Sequence, residues 1–273
     1  MKLGVHNMSQ FRVEKDGHVA WIINDRPDVM NAVLSEGWEA FNDLIDDLNK
    51  DLDIRVAVIV GEGKGFCGGA DVKELAEHPA EFAANKYSDA EMRAGQNLLQ
   101  DSTRKIRSAR FPVIAAVHGV AVGAGLEMSC ACDLIIAEEG TRMGFPECSV
   151  AVTITNGGTF FASRVFGLNK AREMAYTGDF ITAEEGYRVG AITRVVAKGT
   201  IREEAGKLAH KIAGRAPTVL ALHKKMFDRA LESNLENTLV YETECLLTTA
   251  KSQDHAEGAI AFLEKRKPVF TGF

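Results

Sequence analysis

Apolar residues along this chain follow two different periods, and the switches between them lay out the expected elements. Short β-rich runs over 11–14 and 18–24 flank the turn Lys15-Asp16-Gly17 and predict two adjoining strands. Trp38, Phe41, Leu44, Ile45 and Leu48 then recur at three- and four-residue intervals, one face of a helix that Ser35 is placed to cap. The run 54–60 is almost wholly aliphatic, which predicts a strand buried on both faces.

After that strand comes a glycine-rich loop, 61–71, expected to open a helix. A polar helical stretch through Arg110 follows, and then the pattern repeats. Residues 112–117 read as a second buried strand, 119–125 as a second glycine-rich turn, 126–132 as a short helix and 134–137 as a third buried strand. A β–loop–α unit used twice implies a mixed α/β fold with ligand sites at the strand ends. From about Leu168 helices dominate, over 171–176, 183–189, 202–213, 218–231, 239–249 and 255–264. The expected organisation is a core over 1–200 and a helical region over 201–273. No low-complexity linker parts them, so they are read as one continuous functional unit.

Composition narrows the class. With 273 residues, 46% apolar and 26% charged, the chain is long enough to bury a core and reads as soluble and globular. A net charge of −6 leaves no basic excess for neutralising phosphates, which argues against nucleic acid as the main ligand. The five cysteines are odd in number and irregularly spaced, as expected of reduced thiols rather than a disulfide framework. Cys130 and Cys132 have no second Cys/His pair at metal-binding spacing, so no metal is expected. The N-terminal MKLGVHNMSQ holds no secretory apolar run and no window suits a membrane helix, so a cytoplasmic enzyme is expected.

One motif misleads. Gly63-Lys-Gly65-Phe-Cys-Gly68 satisfies G-x-G-x-x-G after an expected strand. A dinucleotide fold would also need an acidic residue about 20 positions on, ending the next strand. Here Glu81 and Glu91 lie in polar helical sequence instead. No Gly-Lys-Ser/Thr supports a P-loop, and no G-x-S-x-G supports a hydrolase elbow.

The two glycine-rich turns each set backbone N–H groups at a helix start, a natural place for a developing negative charge. Phe66-Cys-Gly-Gly-Ala-Asp-Val72 and His118-Gly-Val-Ala-Val-Gly-Ala-Gly-Leu-Glu-Met-Ser-Cys-Ala-Cys-Asp133 resemble the two signature segments of the crotonase (enoyl-CoA hydratase/isomerase) family. Arg26-Pro27, Asn31-Ala32, Phe145-Pro-Glu147, Gly157-Gly-Thr159, Thr177-Gly178 and Phe262-Leu-Glu-Lys-Arg-Lys-Pro268 extend the resemblance, in order, over nearly the whole chain.

That resemblance implies a crotonase-like α/β fold of repeated ββα units, followed by helices that mediate trimers or dimers of trimers. It implies an acyl-CoA thioester as substrate, with no cofactor beyond the CoA that the substrate carries, no nucleic acid and no membrane. By position, the backbone N–H groups of Ala70 and Ala124 would form an oxyanion hole. Met30, Ala32, Gly68, Asp71, Val72, Gly125, Pro146 and Lys265 would contact substrate, Lys265 belonging to a basic run that could meet CoA phosphates from an adjoining subunit or simply be a solvated face.

The resemblance also marks Glu127 and Glu147 as the catalytic pair, 20 residues apart as in the family's hydratases. Adding water across a conjugated C=C needs a base to activate water and an acid to protonate Cα, while the thioester oxygen needs donors. Two neighbouring carboxylates suit this because repulsion keeps one protonated while the other is ionised. Hydration of a 2-enoyl-CoA is the leading expectation. Isomerisation or another crotonase-type acyl-CoA reaction with Glu147 alone as proton shuttle, or a non-catalytic assembly or binding role, are the alternatives. His118 is expected to make a structural hydrogen bond, Asp133 to pair locally, and Cys67 lacks a histidine partner for nucleophilic work.

The match departs from the family after Glu147. Ala151, Ile154 and Thr155 stand where hydratases carry Gly, Pro and another small residue. Thr153, Thr155 and Asn156 are expected either to make the acyl pocket polar or to satisfy a helix start, with Asn156 near the cap.

Overall fold

The computed structural model describes residues 10–71, 73, 74 and 88–272. Strands β1 (Phe11–Asp16), β2 (Val19–Asn24), β3 (Val56–Gly61), β4 (Val113–Val117), β6 (Leu134–Glu138) and β9 (Arg194–Val196) form one sheet in the order β1-β2-β3-β4-β6-β9. Only β1–β2 is antiparallel; every other pair in this sheet is parallel. A smaller sheet joins β5 (Val120–Val122), β7 (Arg142–Gly144) and β8 (Phe180–Thr182) in the order β5-β7-β8.

The aliphatic run at β3 is explained by what lies on its two sides. Side chains alternate across a strand, so Ala57 and Ile59 enter one apolar cluster while Val56, Val58 and Val60 enter another. The first cluster is closed by α1 (Ser35–Lys50) through Trp38, Phe41, Ile45 and Leu48, by α2 (Asp89–Ser108) through Ile106, and by α3 (Ala124–Ala131) and α4 (Gly158–Val165). The second is closed by α7 (Ile201–Ala213) through Ile201, Ala205, Leu208, Ala209 and Ala213. Helices α5 (Leu168–Thr177), α6 (Ala183–Arg188), α8 (Pro217–Ala230), α9 (Leu235–Thr249) and α10 (Gln253–Leu263) complete the described chain. None of the helices among the described residues is long and apolar enough to cross a membrane.

The helix-start expectation at Ser35 is corrected. Ser35 is the first helical residue of α1, and Leu34 occupies the cap; the Ser35 N–H and hydroxyl both donate to the Glu74 carboxylate. Gly157 caps α4, with Asn156 immediately before it, near the cap as expected. The short strands β5, β7, β8 and β9 were not anticipated as strands, because three residues carry too little pattern to read.

Asp133 and His118 behave as expected. Asp133 receives the Val113 N–H and pairs with Lys224 at 2.8 Å. The buried Lys224 ammonium also donates to the carbonyls of Ile106 and Phe111 at 2.7 and 3.1 Å, so α8 is pinned to the strand–helix junctions beneath it. His118 Nε2 lies 3.2 Å from the Gly63 carbonyl oxygen. Removing Lys224 leaves Asp133 paired, among the described residues, with Arg107 alone, 3.4 Å away, and the Ile106 and Phe111 carbonyls without their buried donor. Lys224→Met is therefore expected to lower unfolding stability by about 3–5 kcal/mol, measurable by urea denaturation. An unchanged midpoint would show that the pair does not hold α8.

Candidate active site

The site is built where loops leave the carboxyl ends of parallel strands. After β3 the chain runs through Cys67, which bridges to Ala121 of β5, and on to Ala70, which bridges to Val33. The bonds of the second bridge are made by the flanking residues: Val33 N–H donates to Gly69 O, and Asp71 N–H donates to Val33 O. The Ala70 N–H therefore points to the opposite side, where no described group accepts it.

The second turn delivers a second such donor. Gly123, at φ 52 and ψ −124, ends β5 in a conformation only glycine takes readily, and its N–H is tied to the Gly144 carbonyl. Ala124 then begins α3, and a first-turn helix amide has no partner inside the helix. A Cβ built on Gly69 would lie 3.6 Å from the Ala124 nitrogen, so the loop that carries Ala70 approaches the start of α3.

Glu127 is carried on the first turns of α3 and is withdrawn from water, 2% exposed. Its Oε1 accepts the N–H groups of Thr155 and Asn156 at 3.0 and 2.9 Å, at the threshold of α4. Gly158 makes this approach possible: a Cβ there would lie 2.7 Å from Glu127 Oε1 and 2.8 Å from its Cγ. Burial raises the Glu127 proton affinity to about 7; the backbone donors oppose the rise, and the nearby charge of Glu147 adds to it.

Glu147 sits in the short 3-10 helix Pro146–Val150, which follows β7. Its Oε1 lies 3.1 Å from the point a Gly123 Cβ would occupy, and its buried Oε2 has no hydrogen-bond partner among the described residues. Burial raises its proton affinity also. A half-buried acid with one unclaimed oxygen thus faces the turn that starts α3.

Of the residues expected at the substrate, Met30 and Ala32 lie in the 26–33 loop, and the Met30 carbonyl receives the Gly68 N–H at 2.8 Å. Asp71 is buried; its oxygens accept the Lys73 N–H and the Arg26 guanidinium, each at 3.0 Å, which hold its carboxyl below the usual range. Gly125 packs on Cys67, and Pro146 opens the turn of Glu147. Val72 lies outside the described residues. Lys265 stands exposed just past the end of α10, at φ 56, while its neighbour Arg266 is paired with Glu257 and Glu264. Met30, Gly68, Ala70, Ala124, Gly125, Glu127 and Glu147 are thus gathered by interlocking loops, and Lys265 is not tied to them.

Sequence reasoning missed how Glu127 is held. Asn156 is fully buried; its carbonyl and side-chain oxygen accept from the Thr103 hydroxyl at 3.0 and 2.8 Å. The only signal in the chain was the Gly157-Gly158 pair beside an asparagine. The Cys67 thiol is pushed up to about 12 by burial, which removes it as a nucleophile at neutral pH. Among the described residues, no three His, Cys, Asp or Glu side chains gather as a metal-binding group.

Residues 14–272 match the enoyl-CoA hydratase/isomerase family. The chain belongs to that family. This enoyl-CoA hydratase/isomerase family enzyme is 31% identical to the short-chain-enoyl-CoA hydratase of Clostridium acetobutylicum, over 93% of this chain and 95% of that protein. It is 32% identical to the crotonyl-CoA hydratase of Syntrophomonas wolfei, over 94% of this chain and 96% of that one. Its fold is the crotonase fold: it superposes on the enoyl-CoA hydratase of Bacillus anthracis with a TM-score of 0.90 at 30% identity, covering 97% of this chain and 100% of the other.

The raised proton affinity of Glu127 has a consequence for stability in this family member. Between the ordinary value of 4.5 and about 7, the folded chain holds a proton that the unfolded chain has released. Stability therefore falls as pH rises through that window. Each tenfold difference in proton affinity between the folded and unfolded chain is worth about 1.4 kcal/mol. Glu127→Gln should melt above wild type at pH 8, with the difference fading below pH ~4.5. A difference that does not vary with pH would show that Glu127 is not carrying this proton.

Proposed function

We infer that this enzyme adds water to the C=C bond of a 2-enoyl-CoA thioester. The observation that carries the reading is the meeting of two unclaimed backbone donors, Ala70 and Ala124, with two carboxyls of raised proton affinity. The thioester oxygen would be received by the two N–H groups, which strengthen their hold as it becomes enolate-like. Glu127, fixed by backbone amides through Oε1, would position and activate water with Oε2. Glu147, with its unclaimed oxygen, would deliver the proton to Cα. The names of the hydratases from Clostridium and Syntrophomonas support this version of the chemistry. The reaction as written balances with water alone and uses no cofactor beyond the CoA of the substrate.

The same reading includes assembly. Leu235, Leu239, Val240, Leu246 and Leu247 of α9 and Phe262 and Leu263 of α10 are exposed apolar side chains of the chain's last helices. Their burial against further copies accounts for them, with a trimer or a dimer of trimers as the expected form. Sedimentation equilibrium giving a monomer at micromolar concentration would overturn this.

Crotonyl-CoA, whose conjugated thioester absorbance disappears on hydration, tests the reaction. Wild type should consume it, and Glu147→Gln should lose about 10²–10⁴ in kcat. Solvent deuterium entering Cα without net water addition would replace hydration by isomerisation. A Glu147→Gln variant as active as wild type would remove the carboxylate mechanism.

A further inference from the structure

The donors to Glu127 are themselves held from behind, and by one helix. The carbonyl of Thr155 and the N–H of Asn156 belong to a single peptide unit. That N–H donates to Glu127 Oε1 at 2.9 Å, while the carbonyl accepts from Gln100 Nε2 at 3.0 Å and from Gln96 Nε2 at 3.5 Å. Gln100 has its amide orientation fixed in turn, because its Oε1 receives the Arg104 guanidinium at 3.1 Å. The next carbonyl along, that of Asn156, accepts from Thr103. All four side chains come from successive turns of α2.

We propose that α2 is a positioning element for Glu127, with Gln100 as its principal residue, acting through the 155–156 peptide unit. The physical reason is polarisation: a hydrogen bond accepted at a peptide carbonyl makes the N–H of the same unit a stronger donor, and chains of such bonds reinforce one another. A stronger donor at Oε1 favours the ionised form of Glu127, the form needed to activate water. It also fixes the carboxylate plane, so that Oε2 keeps one direction. Burial drives the proton affinity of this group up and the relay from α2 restrains the rise.

The other groups around Glu127 leave this role to α2. Glu147, from its 3-10 turn, and the Cys130 thiol on α3 are the titratable side chains whose charge couples to Glu127. The packed strand β5 carries no charged residue, and α4 brings only Arg164, which donates to the Phe160 carbonyl. On α2 itself, Arg104, Lys105 and Arg107 are engaged by Asp101, Asp46 and Asp133.

The inference rests on the hydratase reading for its purpose, so its test reads the carboxyl directly as well as turnover. In the full-length protein, the protonated-carboxyl stretch of Glu127 is followed by infrared titration and assigned by its disappearance in E127Q. The double variant Q96M/Q100M keeps side-chain length and removes both donors. Its Glu127 midpoint should rise by about half a pH unit, and the acidic limb of kcat/KM for crotonyl-CoA should move up with it. R104M, at an exposed position, frees the Gln100 amide and should move the midpoint the same way by less; it carries the test if the double variant does not fold. A midpoint unchanged in both variants, or one unchanged in a folded variant of lowered stability, would overturn the proposal and leave α2 a packing element. Absence of crotonyl-CoA turnover in wild type would count against the hydratase reading alone, since the infrared midpoint stands without it.

Discussion

Burying the carboxyl of Glu127 is the constraint around which this molecule is arranged. A carboxylate removed from water must find donors or keep its proton, and Glu127 does part of each. Two peptide N–H groups reach its Oε1, yet burial outweighs them and the proton affinity climbs to about 7. Much of the surrounding structure serves that compromise. Gly158 withholds a side chain so that the carboxyl can lie against the start of α4. The fully buried Asn156 ties the 153–157 loop to Ser102 and Thr103 of α2.

Glu147 obeys a different balance. It is less buried, burial raises its proton affinity, and its buried Oε2 has no hydrogen-bond partner among the described residues. Two acids of one chemical type are thereby made unequal: one is fixed through its donors, and the other has a buried oxygen left without one. The donors at Ala70 and Ala124 owe their availability to ordinary backbone rules. One lies on the far side of a bridge made by its neighbours, and the other is a first-turn amide of a helix.

What could be read from the sequence depended on whether the signal was local. Strands β2, β3 and β4 were legible because burial on both faces leaves long aliphatic runs. Glu127 and Glu147 were singled out by the family resemblance, and the structure adds that burial raises the proton affinity of both. Strands β5, β7 and β8, three residues each, have no period to detect, although they carry the turns of the site. The cap of α1 was misjudged because Glu74, 39 residues away, takes both the N–H and the hydroxyl of Ser35. The link from Gln100 to the loop at Thr155 spans 55 residues and uses side chains that look like ordinary polar helix surface. Nothing in a linear pattern marks such a contact.

The division of strands between two sheets has a further bearing on how such a protein changes over generations. Strands β4 and β6 lie in the large sheet, and β5 and β7, which directly follow each of them, lie in the small one. Both sheets share the apolar interior, since Ala121, Met143 and Ile181 of the small sheet lie in the first cluster, while Ala70, Ala124, Glu127 and Glu147 sit in or just after the turns at the strand ends. Mutations that reach the interior through β5, β7 or α3 therefore also disturb the turns that carry those groups. The segment 148–155, mostly at the surface, carries least of that coupling and is the part of this region most open to variation.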